Sequence, residues 1–133
     1  MRYLLDTNIC IYIAKHNPPA VRERFARHTA DELVMSVVTL GELRFGAEKS
    51  QSRERALAVI DQLETAMQIA PLTEAVGGHY GQIRAALHQR GEMIGNNDLW
   101  LASHARAEGW VLVTNNEREF VRVDGLQVEN WAV

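Results

Sequence analysis

Cysteine is nearly missing from this chain. Cys10 stands alone among 133 residues, so no internal disulfide can form, and its side chain is expected to pack as a small apolar group. Long apolar runs are missing as well, since none approaches the roughly 18 residues that a membrane-spanning helix needs. The opening Met1-Arg2-Tyr3-Leu4-Leu5-Asp6 meets an acid too soon for a signal peptide. A cytoplasmic location without membrane contact is therefore the expectation. Zinc-type spacing is absent too. The five histidines (His16, His28, His79, His88 and His104) share no ligand spacing, and neither a cysteine pair nor HExxH occurs. They are expected on the surface or as hydrogen-bonded core residues. No GxGxxG follows the first apolar stretch, which removes the usual dinucleotide site. Gly41, Gly77, Gly78 and Gly81 read instead as points of close helix approach. Lysine is scarce: Lys15 and Lys49 are outnumbered by twelve arginines, the side chain better suited to forked phosphate contacts.

What remains is an ordinary globular composition, 47% hydrophobic and 23% charged, long enough for one domain over residues 1–133 with a real core. The net charge of −3 would disfavour a polyanionic partner only if it were spread evenly. Acids gathered at one site leave the remaining surface near neutral.

Apolar spacing alternates between strand-like and helix-like segments. Tyr3–Asp6, Leu33–Ser36, Gln68–Leu72, Trp110–Val113 and Leu126–Glu129 read as strands. Helical spacing covers Asn8–Lys15, Ala20–Thr29 beyond the Pro18-Pro19 break, Thr39–Lys49, Arg53–Met67, Ala75–Gln89 and Asp98–Glu108. Gly91–Gly95 reads as a loop, Gly109 as a helix terminator, and Thr114–Arg118 as a polar turn. This order predicts an α/β fold: a central, mostly parallel sheet flanked by helices on both faces.

Open parallel sheets place ligands beyond the carboxyl ends of their strands. Asp6 ends the first strand, Glu42 lies one turn into the helix after the second, and Asp98 opens the helix before the strand ending at Val113. Asn115, Asn116, Glu117 and Glu119 follow that strand. Each acid has a plain alternative. Asp6 could cap the next helix, Thr39 and Glu42 match a capping box, and Asp98 could be a first-turn acid favoured by the helix dipole. Asn116 to Glu119 has capping spacing as well. Against these readings, a carboxylate ending a central apolar strand is costly unless paired or bound to metal. Several carboxylates gathered together also need a cation to stay ionised. An all-oxygen donor set points to Mg²⁺ or Mn²⁺ rather than zinc. Spacing alone leaves both readings open.

Four segments together resemble a known family. Leu5-Asp6-Thr7-Asn8, Ser36-Val37-Val38-Thr39-Leu40-Gly41-Glu42-Leu43, Asn97-Asp98-Leu99-Trp100-Leu101-Ala102-Ser103-His104-Ala105 and Leu112-Val113-Thr114-Asn115-Asn116-Glu117-Arg118-Glu119-Phe120 are similar, in order and spacing, to the four motifs of PIN-domain proteins. The compact length and Phe45-Gly46-Ala47-Glu48-Lys49-Ser50 look most like the VapC-type toxins among them. The resemblance implies a Mg²⁺-dependent (or Mn²⁺-dependent) endoribonuclease with Asp6, Glu42 and Asp98 as the core metal ligands. Many relatives carry Asp where Asn116 stands, so the fourth site group falls to Asn116 or Glu119, and a second metal is in doubt. Thr7, Asn8 and Thr114 are candidates for orienting the ligands.

The resemblance further implies an RNA substrate, tRNA and initiator tRNA before others. It implies a VapB-type antitoxin whose C-terminal segment fills a groove beside the active site, DNA contact only through that antitoxin, and a homodimer. Ile9, Ile11, Ile13, Val21 and Phe25 form the expected docking face. Trp100 reads as a packing residue more readily than as a base-stacking one, and Arg84, Arg90, Arg106, Arg118 and Arg122 as solvated more readily than as phosphate contacts. Two other readings stay open at this stage. One is a different Mg²⁺-dependent phosphohydrolase, against which the absence of a second acid beside Asp6 and of any lysine after Ser50 both count. The other is a catalytically inactive binding module that keeps the fold, which Asn116 leaves open.

Overall fold

The computed structural model describes residues 1–133. Five strands, β1 (Tyr3–Leu5), β2 (Leu33–Ser36), β3 (Gln68–Ala70), β4 (Val111–Val113) and β5 (Val128–Glu129), form one sheet in the order β3-β2-β1-β4-β5. Every pairing is parallel. Helices α1 (Thr7–Lys15), α2 (Pro19–Ala26), α3 (Val37–Glu48), α4 (Arg53–Ala66), α5 (Glu74–Arg90), α6 (Asn96–Glu108) and the single turn α7 (Glu117–Phe120) connect them.

The chain starts in the middle of the sheet. From β1 it crosses outward to β2 and β3, then returns past β1 to β4 and β5. Right-handed crossovers running in opposite directions must place their helices on opposite faces, and the core divides accordingly. Leu4, Val34 and Leu112 share one face with Ile83, Leu87, Leu99 and Ala102 of α5 and α6. Leu5, Leu33, Met35 and Val113 turn to the other face, against Ile9 and Ile13 of α1, Val21 of α2 and Leu63 of α4. The register explains the split, because Leu4 pairs with both Val34 and Leu112 while Leu5 pairs with Val113. Strands buried on both faces read as unbroken apolar runs.

Several boundaries move for local reasons. Pro71 has no N–H to give a ladder, and β3 ends at Ala70 instead of reaching Leu72. Trp110 does not open β4 because its N–H donates to the Ala105 carbonyl at 2.9 Å, closing α6 around Gly109 at φ +73°. The expected helix to Thr29 stops at Ala26. Thr29 instead caps a 3₁₀ turn, Ala30–Glu32, in a capping box with Glu32. Leu126 lies outside β5, and the expected turn at Thr114–Arg118 runs into α7 at Glu117. The glycines Gly41, Gly77, Gly78 and Gly81 do not serve close helix approach, since nothing lies within 4 Å of where a Cβ would stand at any of them. Of the expected docking face, Ile9, Ile13 and Val21 are taken by the core.

The short last strand is held by Trp131. Its ring is fully buried, stacks on His28 with centroids 5.1 Å apart, and leans on Tyr3 at 5.7 Å. Its indole N–H donates to Glu129 Oε1 at 3.0 Å, which Arg24 Nη2 also reaches at 3.0 Å. Trp131→Ala is expected to cost about 3–5 kcal/mol of stability, read as a lowered urea midpoint. A loss below about 1 kcal/mol would show that the chain end is not part of the core.

Candidate active site

The direction of strand order reverses between β1 and β4, and ligand crevices of parallel sheets form at such a switch point. Asp6 follows β1 directly, and its N–H continues the ladder to the Val113 carbonyl at 3.0 Å. The capping reading of Asp6 holds as far as it goes, for Oδ1 accepts the Ile9 N–H at 2.9 Å. Capping alone does not explain its setting. The residue is only 7% exposed, and burial raises its pKa against the lowering pull of the Thr114 hydroxyl and the Ile9 N–H, with the charge of Glu42 adding to the rise.

Glu42 is not part of a capping box. Ser36 caps α3, three residues before the expected cap Thr39, its Oγ accepting the Val38 N–H at 3.1 Å. Glu42 therefore falls inside the helix, where Thr7 Oγ1 donates to its Oε1 at 2.9 Å. Asp98 sits in the first turn of α6, which begins at Asn96. A helix dipole acting alone would pull its pKa down. The carboxyl is instead pushed up to about 6, first by burial, then by the hydrogen bond and charge of Glu119, then by the charges of Asp6 and Glu42.

Asp6, Glu42, Asp98 and Asn116 line one cavity of about 150 Å³ together with Thr7, Asn8 and Leu101. Glu119 reaches the group through Asp98. Four of the five residues singled out in the sequence thus line one cavity, and Glu119 stands outside that lining, beside Asp98. Asn115, beside Asn116, does not line the cavity; its Nδ2 donates to Tyr12 Oη at 2.8 Å and its Oδ1 accepts from Asn8 Nδ2 at 3.5 Å. Thr114 Oγ1 accepts the Asn116 N–H at 2.9 Å, fixing the turn that presents the neighbouring amide.

Two supporting residues, Tyr12 and Ser36, are missed by the sequence reading although each carries a signal. Tyr12 could have been found one helical turn past Asn8. Ser36 could have been recognised as a polar residue at a strand-to-helix junction. Ser36 also bonds the buried His104 at Nδ1, 3.0 Å away, tying α6 to the start of α3. His104 is thus a hydrogen-bonded core histidine as expected, although its other ring nitrogen is buried without a partner.

None of the ion pairs in the molecule involves Asp6, Glu42, Asp98 or Glu119. The acids therefore repel one another with no basic side chain to compensate. All the donors are oxygens, the set that hard divalent cations prefer. The donor chemistry suits such an ion, although no three of these acids stand arranged as a ready-made metal site in this structure.

Comparison with known proteins gives consistent matches along the whole chain. The PIN domain model matches residues 3–126. The tRNA(fMet)-specific endonuclease VapC of Shigella flexneri is 46% identical over 132 residues, 99% of each chain. Ribonuclease VapC2 of Haemophilus influenzae is 44% identical over 131 residues, 98% of each. Among solved structures, the DNA-bound VapBC of Salmonella typhimurium matches with a TM-score of 0.92 and 41% identity over 98% of each chain. VapBC-1 of nontypeable Haemophilus influenzae matches with a TM-score of 0.92 and 40% identity over all of each.

A carboxyl whose pKa is raised by folding favours the fold when protonated and weakens it when ionised. The penalty from Asp98 is absent below about pH 4, grows as the pH rises to about 6, and is complete above that. Asp98→Asn is expected to raise the melting temperature in EDTA at pH 8 by about 3 °C, corresponding to about 1 kcal/mol after solvent screening of a half-buried group. The gain should vanish near pH 4. An equal gain at both pH values would contradict the assignment.

Proposed function

The chain belongs to the PIN-domain family, and we propose that it is a metal-dependent endoribonuclease, the VapC-type toxin of a toxin–antitoxin pair, whose substrate is tRNA, initiator tRNA first. The observation that carries this reading is the uncompensated carboxylate cluster at the switch point of the sheet. End-to-end identity of 46% to an endonuclease named for tRNA(fMet) supports the choice of RNA.

Asp6, Glu42 and Asp98 would hold a single divalent ion, Mg²⁺ or Mn²⁺. When bound, that ion supplies Lewis acidity toward a phosphodiester oxygen and lowers the pKa of a coordinated water. The protein's own groups fix the geometry around it. Thr7 restrains the Glu42 carboxylate through its hydroxyl, and the Ile9 N–H restrains Asp6. Asn116 presents a neutral amide to the cavity, able to orient water or a phosphate oxygen without adding charge. Glu119 keeps the proton affinity of Asp98 high until a cation arrives. No histidine lines the cavity, and a coordinated water would attack without an imidazole base or a covalent intermediate.

The partner reading rests on relatives solved as VapBC complexes. An apolar groove of about 530 Å³ between α1, α3 and α4, lined by Ile11, Leu43, Val59, Ile60 and Leu63, shares Thr7 and Glu42 with the carboxylate cavity. This groove is the seat for the antitoxin's C-terminal segment. It replaces the docking face expected from α1 and α2, of which Ile11 contributes. DNA contact would come through the antitoxin, and the toxin would act as a homodimer. No helix is long and apolar enough to cross a membrane, and an RNA substrate would place the toxin's action in the cytoplasm.

The test is cleavage of a purified tRNA pool with Mg²⁺ or EDTA, beside Asp6→Asn. Wild type is expected to cut only with Mg²⁺, and the variant at least about 100-fold more slowly. Equal cutting by the variant would remove Asp6 from the site. No cutting by either protein would make the chain a binding module that keeps the fold.

A further inference from the structure

Helix α5 carries a cost that the fold does not explain. Gly77, Gly78 and Gly81 lie within this 17-residue helix, where each is about 1 kcal/mol worse than alanine. All three are exposed, and no atom stands within 4 Å of the missing Cβ positions. Nothing inside the molecule needs that space.

Beside the bare strip stands a rigid aromatic pair. Tyr80 of α5 stacks on Trp100 of α6, with centroids 3.8 Å apart and planes 18° from parallel. The Tyr80 hydroxyl donates to Asn96 Oδ1 and accepts from Arg84 Nη1 at 2.8 Å. The Arg84 guanidinium is 5.8 Å from the Tyr80 ring centroid. It is exposed and in no ion pair. Both rings are half-buried, so part of the stack meets solvent. Trp100 follows Asp98 by two residues, about 200° around the helix. Asn96, which the Tyr80 hydroxyl reaches, opens the same first turn of α6 that carries Asp98, so the pair borders the turn that leads to the cavity.

We propose that this strip is a subsite for the RNA: an unpaired base flanking the scissile phosphate stacks on the Trp100–Tyr80 pair, Arg84 holds a neighbouring phosphate, and Gly77, Gly78 and Gly81 let the polynucleotide backbone approach α5. The subsite deepens the ribonuclease reading and rests on it. Single-stranded RNA is recognised by splayed bases on aromatic faces, with arginine at the backbone. A rigid pair loses little entropy on receiving a base. The competing occupant is a second copy of the chain, packing helix on helix. Arg84, exposed and in no ion pair, gives the strip an uncompensated positive charge, which favours the polyanion.

Three variants test the subsite: Trp100→Leu, Trp100→Phe and Arg84→Gln. Initial rates with Mg²⁺ are followed against the concentration of the tRNA pool, tryptophan emission is followed as tRNA is added in EDTA, and self-association is followed by sedimentation. Trp100→Leu should raise KM about tenfold with kcat unchanged, while Trp100→Phe stays near wild type. Arg84→Gln should weaken binding and flatten its salt dependence. Added tRNA should quench wild-type emission and leave Trp100→Leu unquenched. Unchanged KM and quenching in both Trp100→Leu and Arg84→Gln would overturn the subsite, as would a loss of activity that tracks a change in self-association. If wild type is quenched by tRNA yet cuts none, the subsite stands and the ribonuclease reading fails. If it cuts normally and the variants behave like it, only the subsite fails.

Discussion

Asp6, Glu42, Asp98 and Glu119 crowd the carboxyl edge of the sheet, and no arginine or lysine is paired with any of them. Such a cluster spends folding free energy, because each added charge raises the cost of ionising the next. The pKa of Asp98, pushed up to about 6, records that cost. Much of the architecture can be read as what is required to hold these groups in place. Two central strands of three residues, buried on both faces, supply the rigid base. The reversal of strand order beside β1 opens the space above it.

The acids arrive on four different elements, so their mutual position depends on long-range packing. Small hydrogen bonds then set their orientation. Ser36 fixes where α3 starts and so places Glu42 within it. Through His104, the same hydroxyl ties α3 to α6, the helix that bears Asp98. Thr7 joins α1 to α3 at Glu42. These contacts cross between elements at the site itself, where a shift of a few tenths of an ångström would change how the carboxylates converge.

Much of this was legible in the sequence because apolar runs and punctuation residues are local signals. The parallel sheet, the termination at Gly109 and the meeting of Asp6, Glu42, Asp98 and Asn116 at one cavity follow from strand order and position. What could not be read there depends on competition for single hydrogen bonds. The Thr39–Glu42 spacing suits a capping box, yet Ser36 claims the helix start first. Trp110 looks like strand, yet its N–H closes the preceding helix. The exposed glycines of α5 look like helix contacts until the space before them is seen to be open. The apolar residues of α1 and α2 look available for a partner, but periodicity does not distinguish a core face from a docking face.

The central claim is that a divalent cation relieves the repulsion among these carboxylates. Calorimetric titration of the protein with Mn²⁺ at pH 6 and pH 8, in buffers of different ionisation enthalpy, measures this directly. The account expects binding at both values. At pH 6 it expects release of roughly half a proton per ion as Asp98 gives up its proton, and almost none at pH 8. Absence of binding, or binding at pH 6 with no proton released, would contradict it.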